Sequence, residues 1–278
     1  MTKFADLHIH TQYSDGTLSC QDIITESLQA GLACISITDH DSLDGIKPTM
    51  ALAKEVNLEV ISGIELSSEI NGKDIHILGY FIDEENQALL QTLKKIQQIR
   101  IERIKKMIQK LKELDIGNIH LEEVCSLGAS KALGRPHLAA CLEQKGYVSS
   151  IKEAFDRFLA EGKPAYVKKY KQSPQEAIDS IRQADGLAVL AHPMVSDVDD
   201  LIPAFVEAGL KGLEIFYPGY QEKTIQYYEG LAQKYQLLIT GGSDSHGKTK
   251  SHTAIGCVKI PYDLVERLKD LYAREKRK

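Results

Sequence analysis

Six histidines of this chain fall in short motifs that set nitrogen and oxygen ligands side by side. The motifs are Asp6-Leu7-His8-Ile9-His10, Thr38-Asp39-His40-Asp41, Asp74-Ile75-His76, Ala191-His192-Pro193 and Ser243-Asp244-Ser245-His246. Asp15, before Gly16, and Glu65, after Gly63-Ile64, add carboxylates. Imidazole and carboxylate together suit Zn, Mn or Fe. Structural zinc sites are commonly closed tetrahedra rich in sulfur, and this set contains none. Nine candidate ligands (His8, His10, Asp15, His40, Glu65, His76, His192, Asp244 and His246) suffice for three ions if one carboxylate bridges. Clusters of this kind mostly perform hydrolysis. Singly each has a plain reading: Asp15-Gly16 as a turn, Asp39 or Asp41 as a helix cap, Glu65 as a surface acid. Those readings fail jointly, because all nine are expected at strand ends or just after them.

Short apolar runs alternate with helical stretches, the pattern of a parallel sheet wrapped by helices. Strands are expected over residues 4–9, 33–38, 59–64, 75–82, 187–191, 212–216, 237–240 and 253–260. Ser19 should cap a helix over 19–30, which Gly31 closes. His8 and His10 are two apart, so on a strand they share a face. His40, Glu65, His192 and Asp244 each follow an apolar run. In a (β/α) barrel the carboxyl ends of the strands open onto one rim, where active sites collect. Distant motifs would meet there.

The middle of the chain differs. Leu89, Leu93, Ile96, Ile104, Met107, Ile108, Leu111 and Leu114 keep helical spacing between residues 86 and 115, with many lysines and arginines between them. Residues 86–172 are therefore expected to form a helical insertion on the rim of a barrel built from 1–85 and 173–278. A net charge of −5 argues against broad nucleic-acid coating, and duplex DNA is not an expected partner. Five scattered cysteines without a C-x-x-C pair exclude a thiolate zinc site or disulfide framework. The absence of a signal-like or membrane-length apolar run leads to an expectation of a cytoplasmic protein.

The blocks His8-x-His10 with Asp15-Gly16, Thr38-Asp39-His40-Asp41, Gly63-x-Glu65 and Asp244-x-His246 resemble the PHP (polymerase and histidinol phosphatase) superfamily. The stretches "ADLHIHTQYSDGTLS" and "ITDHDSLDGI", with Ala191-His192-Pro193 and the helical insert, are most similar to its nucleotide-phosphatase branch, including the TrpH-type ribonuclease. The resemblance implies an α/β fold, a distorted (β/α)7 barrel. It implies three divalent ions, Mn foremost with Zn or Fe open. One would use His8, His10, Glu65 and Asp244; a second Glu65 as bridge, His76 and His192; a third Asp15, His40 and His246.

Hydrolysis of a phosphate ester by a metal-activated hydroxide is the expected reaction, with Asp15, His40, Arg135 and His192 in catalytic roles. Arg135, in Gly134-Arg135-Pro136-His137, has a planar fork suited to phosphate oxygens. Alone it reads as a surface residue before a helix, and the resemblance places it and His137 over the substrate. The implied substrate is a nucleotide 3′,5′-bisphosphate or the 5′ end of a short RNA. The alternative is a histidinol-phosphate phosphatase, a small ester that does not need a long basic insert. Lys163, Lys168, Lys169 and Lys171 with Tyr166 and Tyr170 are a candidate nucleotide grip or a solvated loop. Glu214 could support the site or face solvent. Tyr217 and His252 are further pocket candidates, and His120 reads as an ordinary exposed residue.

Overall fold

Strand β1 (Phe4–Ile9) sends Ala5, Leu7 and Ile9 into apolar packing while Asp6 and His8 share the other face. In the computed structural model, which describes residues 2–127, 133–168, 171–247 and 253–277, two β-α-β crossovers follow. They comprise α1 (Cys20–Gln29), β2 (Cys34–Ile37), α2 (Ile46–Ala53) and β3 (Glu59–Ile70). Helix α1 starts at a capping box in which Ser19 Oγ accepts from Asp22 N and Asp22 Oδ2 accepts from Ser19 N. Gly31, at φ 71°, ends it. Ile9, Ile23, Ile35, Ile37 and Ile46 fill the layer between these helices and the sheet.

The next turn breaks the parallel rule. Asn71 and Gly72, at φ 52° and 81°, form the tight link from β3 into β4 (Lys73–Tyr80). Two consecutive left-handed residues match the twist of a two-residue hairpin, so β4 runs antiparallel to β3. It is antiparallel to β5 (Leu187–Leu190) as well. Helices α3 (Gln87–Lys112), α4 (Leu121–Ser126), α5 (Arg135–Gln144) and α6 (Ile151–Ala154) lie between β4 and β5 in sequence. A π-turn over Phe155–Leu159 continues α6, and α7 (Pro174–Gln183) leads into β5. Parallel order then resumes through α8 (Pro193–Ser196), α9 (Ile202–Ala208), β6 (Gly212–Phe216), α10 (Glu222–Tyr235) and β7 (Leu238–Gly241). A two-residue β8 (Ile260–Pro261) pairs antiparallel with β1 before α11 (Tyr262–Glu275).

The sheet order β7-β6-β5-β4-β3-β2-β1-β8 closes nearly into a ring. At the seam His10 N donates to Ser245 O at 2.9 Å and Ser245 N to His8 O at 3.3 Å. Gly242 permits this approach, since a Cβ there would collide with the His8 backbone nitrogen. Asp6 fastens the seam from inside. Its fully buried carboxylate accepts from the backbone N–H groups of Ser243 (2.9 Å), Gly256 (2.8 Å) and His8 (3.3 Å). The result is a distorted (β/α)7-type barrel.

Three expectations about the elements need correction. Residues 253–260 form no long strand: Gly256, at φ 74°, bends the chain so that its N–H reaches Asp6, and pairing is confined to Ile260–Pro261. Glu65 lies inside a twelve-residue β3, not at its end. His76 sits in the first half of β4 and reaches the ligand-bearing rim because that strand is reversed.

By contacts the chain divides into two compact units, residues 1–92 with 171–278, and residues 93–170. The second has its own apolar core, including Met107, Leu111, Leu138, Leu142 and Leu159. Among the described residues no helix is long and apolar enough to cross a membrane.

The Asp6 seam can be tested directly. Asp6→Ala strands buried N–H donors and should cost about 2–4 kcal/mol of unfolding free energy. Asp6→Asn, which keeps one acceptor oxygen, should cost less. Urea unfolding followed by circular dichroism measures both, and a loss below about 0.5 kcal/mol for Asp6→Ala would show that the seam holds without it.

Candidate metal centre

Glu65 stands at the middle of the rim, 1 % exposed. Its Oε2 lies 3.3 Å from His8 Nε2, 3.2 Å from His10 Nε2 and 3.2 Å from His40 Nδ1. Its Oε1 lies 2.9 Å from His76 Nδ1 and 3.3 Å from His192 Nε2. Five imidazoles from four strands or their ends therefore face one carboxylate. His8 Nε2 and His10 Nε2 are also only 3.1 Å apart.

Each ligand is fixed by its own local device. His8 Nδ1 lies 2.8 Å from Glu214 Oε1, and a carboxylate can only accept, so Nδ1 carries the proton and Nε2 offers its lone pair. The other oxygen of Glu214 accepts from His192 N at 2.9 Å, where the backbone takes φ 27°. Glu214 is thus buried beneath two ligands and does not face solvent. Asp244, at φ 48°, turns Oδ1 toward His8 (3.4 Å), His10 (3.2 Å) and His246 (3.4 Å). Tyr217 OH donates to its Oδ2 at 2.8 Å. His246 Nδ1 lies 2.8 Å from Asp244 O, which fixes that nitrogen as the donor and leaves Nε2 toward Asp15, 3.4 Å away.

The Asp15 loop is stapled by Asp39. Its oxygens accept from Thr11 N (2.7 Å), Thr11 Oγ1 (2.7 Å) and Ser14 Oγ (2.5 Å). Gly16 has no side chain because a Cβ would press on the His10 and Thr11 carbonyls. Asp15 then stands half-exposed, 3.6 Å from His10 Nδ1 and 3.9 Å from His40 Nε2. Asp41 holds the other side: its N–H donates to Glu65 O, and its carboxylate accepts from Ser67 N at 2.9 Å. Asp39 and Asp41 do not cap a helix. Asp39, Thr11 and Ser14 carried no functional signal in the sequence beyond their closeness to ligands.

Three sets of donor atoms lie within 4.8 Å of one another: His8, His10, Glu65 and Asp244; His40, Glu65 and His76; and His10, Asp15, His40 and His246. Relative to the sets implied by resemblance, His40 falls beside His76, and His10 is shared by two groups. His192 approaches the centre through Glu65.

The electrostatics call for cations. Burial alone would raise the carboxyls of Glu65 and Asp15, but the surrounding imidazoles hold both well below the ordinary range. Burial likewise opposes a charged His10, yet the hydrogen bonds it donates to Asp244 and Glu65 raise it to about 10. At His40 burial prevails and carries the imidazole down to about 3. Buried His10 Nδ1, His40 Nδ1, His76 Nδ1 and His192 Nδ1 have no hydrogen bond of acceptable geometry. Orphaned imidazole nitrogens converging with anionic oxygens fit divalent metal ions.

Other candidates belong to the 93–170 unit. Arg135 donates to Leu159 O at 3.2 Å and lies over Phe155 and Tyr166. His137 Nδ1 accepts from Gly134 N at 3.1 Å. Lys163 and Lys168 are exposed and His120 is exposed as well. Lys171, in the barrel unit, is buried against Glu69 and Asp74, which removes it from the nucleotide grip. Lys169, Tyr170 and His252 lie outside the described residues.

Glu214→Gln tests the positioning role. It should lower metal affinity about 10–100-fold, because the amide can present a donor to His8 Nδ1 and scramble the tautomer. Metal titration by calorimetry reads this directly; wild-type affinity would reject the role.

Comparison with known proteins agrees with this geometry. The chain is 33% identical over 251 residues to a 5′-3′ exoribonuclease of Haemophilus influenzae, covering 88% of this chain and 91% of that one. It is 31% identical to a phosphoribosyl 1,2-cyclic phosphate 1,2-diphosphodiesterase of Eggerthella lenta (87% and 94% covered). Identity is 29% to a 3′,5′-nucleoside bisphosphate phosphatase of Chromobacterium violaceum (90% and 90% covered). A solved structure from Bifidobacterium adolescentis, assigned to the metal-dependent phosphoesterases, superimposes with a TM-score of 0.82 at 26% identity, covering 95% and 94%. The PHP domain model matches residues 6–246, from the Asp6 seam to the last histidine of the cluster, and the chain belongs to the PHP-domain family.

Proposed function

We propose that this chain is a metal-dependent phosphoesterase that hydrolyses a nucleotide phosphate ester, either a 3′,5′-bisphosphate or the 5′ end of a short RNA. The observation that carries this reading is the buried Glu65 carboxylate facing five imidazoles, each within 3.3 Å. The relatives that act on a nucleoside bisphosphate and on RNA support the nucleotide class.

Three ions per chain, Mn foremost, are the reading the nine donors support. His8, His10, Glu65 and Asp244 would hold one. Glu65, His76 and His192 would hold a second, beside His40, and Asp15, His40 and His246 a third, beside His10. Bound divalent cations supply Lewis acidity toward a phosphoryl oxygen and lower the pKa of an attacking water. The protein's own residues do the positioning. Glu65 joins the ligand sets, Glu214 sets the His8 tautomer, and Tyr217 orients Asp244. Asp15, half-exposed, is the ligand nearest solvent and so nearest an arriving substrate. The substrate roles proposed for Arg135 and His137 are meeting phosphate charge and touching the phosphate or leaving group.

Two outcomes test this reading. Mn-loaded protein should release phosphate from adenosine 3′,5′-bisphosphate or shorten 5′-phosphorylated RNA, with lower kcat/KM on histidinol phosphate. Equal or better turnover of histidinol phosphate would reject the nucleotide class. Glu65→Gln should cut activity by more than about 100-fold and lower bound metal measured by elemental analysis. Full activity with full metal content would remove Glu65 from the centre.

A further inference from the structure

Exposed apolar side chains gather at one place on the barrel unit. Met194 is 55 % exposed, Val195 63 % and Tyr227 52 %. A single exposed residue of this kind is ordinary, whereas an adjacent set marks a surface with a use. Met194 and Val195 belong to α8, whose N-cap is His192. Met194 is two residues on from that imidazole, at most about 7 Å along the chain. Opposite it, α10 brings Lys223, Tyr227 and Tyr228, and the groove between them has a volume of about 330 Å³. Asp197 and Asp199 line it as well. The groove and the metal-facing cluster both lie within the barrel unit.

Its walls are fixed by hydrogen bonds and ring packing. Tyr228, 3 % exposed, donates from its hydroxyl to Asp199 Oδ1 at 3.0 Å. Met194 N donates to Tyr220 OH at 2.9 Å. Tyr227 meets the Tyr228 ring edge-on at 5.1 Å, and Tyr228 lies nearly parallel to Tyr220 at 6.2 Å. Tyr220 packs on Tyr217 at 5.3 Å, and Tyr217 on His192 at 5.2 Å. The hydroxyl of Tyr217 is the one that holds Asp244. An unbroken row of rings therefore joins the metal centre to the groove. Tyrosine offers a large flat face with only two χ angles to fix, and a methionine thioether adapts to such a face.

Charge decides which part of a nucleotide fits. Among the described residues lining the groove, two carboxylates stand against the single ammonium of Lys223. A phosphate entering there meets like charge, which disfavours it. A flat, uncharged ring meets thioether and phenol surface. We infer that this groove is a nucleobase subsite, in which the base lies against Met194 and the ring of Tyr227 while its phosphate is held at the metal centre. The inference rests on the phosphoesterase reading and deepens it, by assigning the uncharged part of the substrate. Any base has a face that stacks on an aromatic ring, so the groove contributes affinity without choosing sequence.

The first measurement needs no turnover. In protein with isotopically labelled methionine methyl groups, the Met194 signal, assigned with Met194→Leu, is followed by NMR as adenosine is added. Stacking of the base should shift that signal through its ring current, and ribose 5-phosphate, which lacks a base, should leave it in place. Tyr227→Ala should weaken adenosine binding at least about fivefold, and Tyr227→Phe, which keeps the ring, should bind like wild type. An unmoved Met194 signal, or equal binding in Tyr227→Ala, would overturn the subsite. Broadening with protein concentration alone, relieved in Tyr227→Ala, would give the groove to a second copy of this chain and defeat the proposal. The second measurement is kinetic. With Mn-loaded protein, Tyr227→Ala should lower kcat/KM on adenosine 3′,5′-bisphosphate at least about fivefold, mainly through KM, and leave base-free ribose 3,5-bisphosphate within about twofold. Equal losses on the two would reject a role for the base. If wild type hydrolysed no nucleotide while adenosine still moved the Met194 signal, the phosphoesterase reading would fail and the groove would stand as a nucleoside site.

Discussion

A buried carboxylate surrounded by imidazoles is the constraint on which the rest of the molecule depends. Glu65 offers two oxygens to five histidines, and no pattern of protons satisfies that arrangement well. If the imidazoles are neutral, their lone pairs face anionic oxygen and one another. If several are protonated, cations crowd a buried space, against the cost that burial imposes. Metal ions resolve the conflict, because each replaces several protons with one compact divalent centre that accepts lone pairs from every side. The supporting shell reflects that requirement. Glu214, Tyr217, Asp39 and Asp41 each fix a ligand or its loop through hydrogen bonds of 2.5–3.0 Å.

The hairpin between β3 and β4 is how the barrel brings Glu65 and His76 together. In an all-parallel barrel, ligands come from the carboxyl end of each strand. Here β3 continues past the parallel register with β2, which ends at Ser62, and its onward ladder is with β4, beside isolated parallel bridges from Glu65 to His40 and from Ser68 to Gln172. Glu65 is the third residue beyond that register, bridged to His40. The reversed β4 opposes Ser67 with His76, and residues two apart on a strand share a face. Glu65 and His76 thus project together from a two-stranded extension. Distortion of the barrel is a means of adding ligands that parallel strand ends could not supply.

This also explains what could be read in the sequence. The ligand types, the β-α-β start and the helical middle were legible, because periodicity and motif spacing are local signals. Asn71-Gly72 was a readable sign of the reversal, overshadowed by the alternation of apolar runs with helices. The course of residues 253–260 was not legible, since Gly256 bends toward Asp6, 250 positions away. Glu214 showed only as a polar residue within an apolar strand; that it supports His8 and His192 depends on tertiary contact. Asp39 was hidden by the common use of aspartate at turns and caps, though its hydrogen bonds tie together the loop that bears Asp15.

Charge is divided between the two units in a way that follows from the same chemistry. With the 93–170 unit at net +7, the remaining residues carry −12. A unit so acidic, with several of its carboxylates buried at one rim, repels itself as well as any phosphate. Divalent ions held there would return positive charge to that rim and invert its local field toward an anion. Ions that bind the folded cluster and not its dispersed ligands would add their binding free energy to the stability of the barrel. Holding the fold together and attracting the substrate are then one electrostatic requirement, met at Glu65.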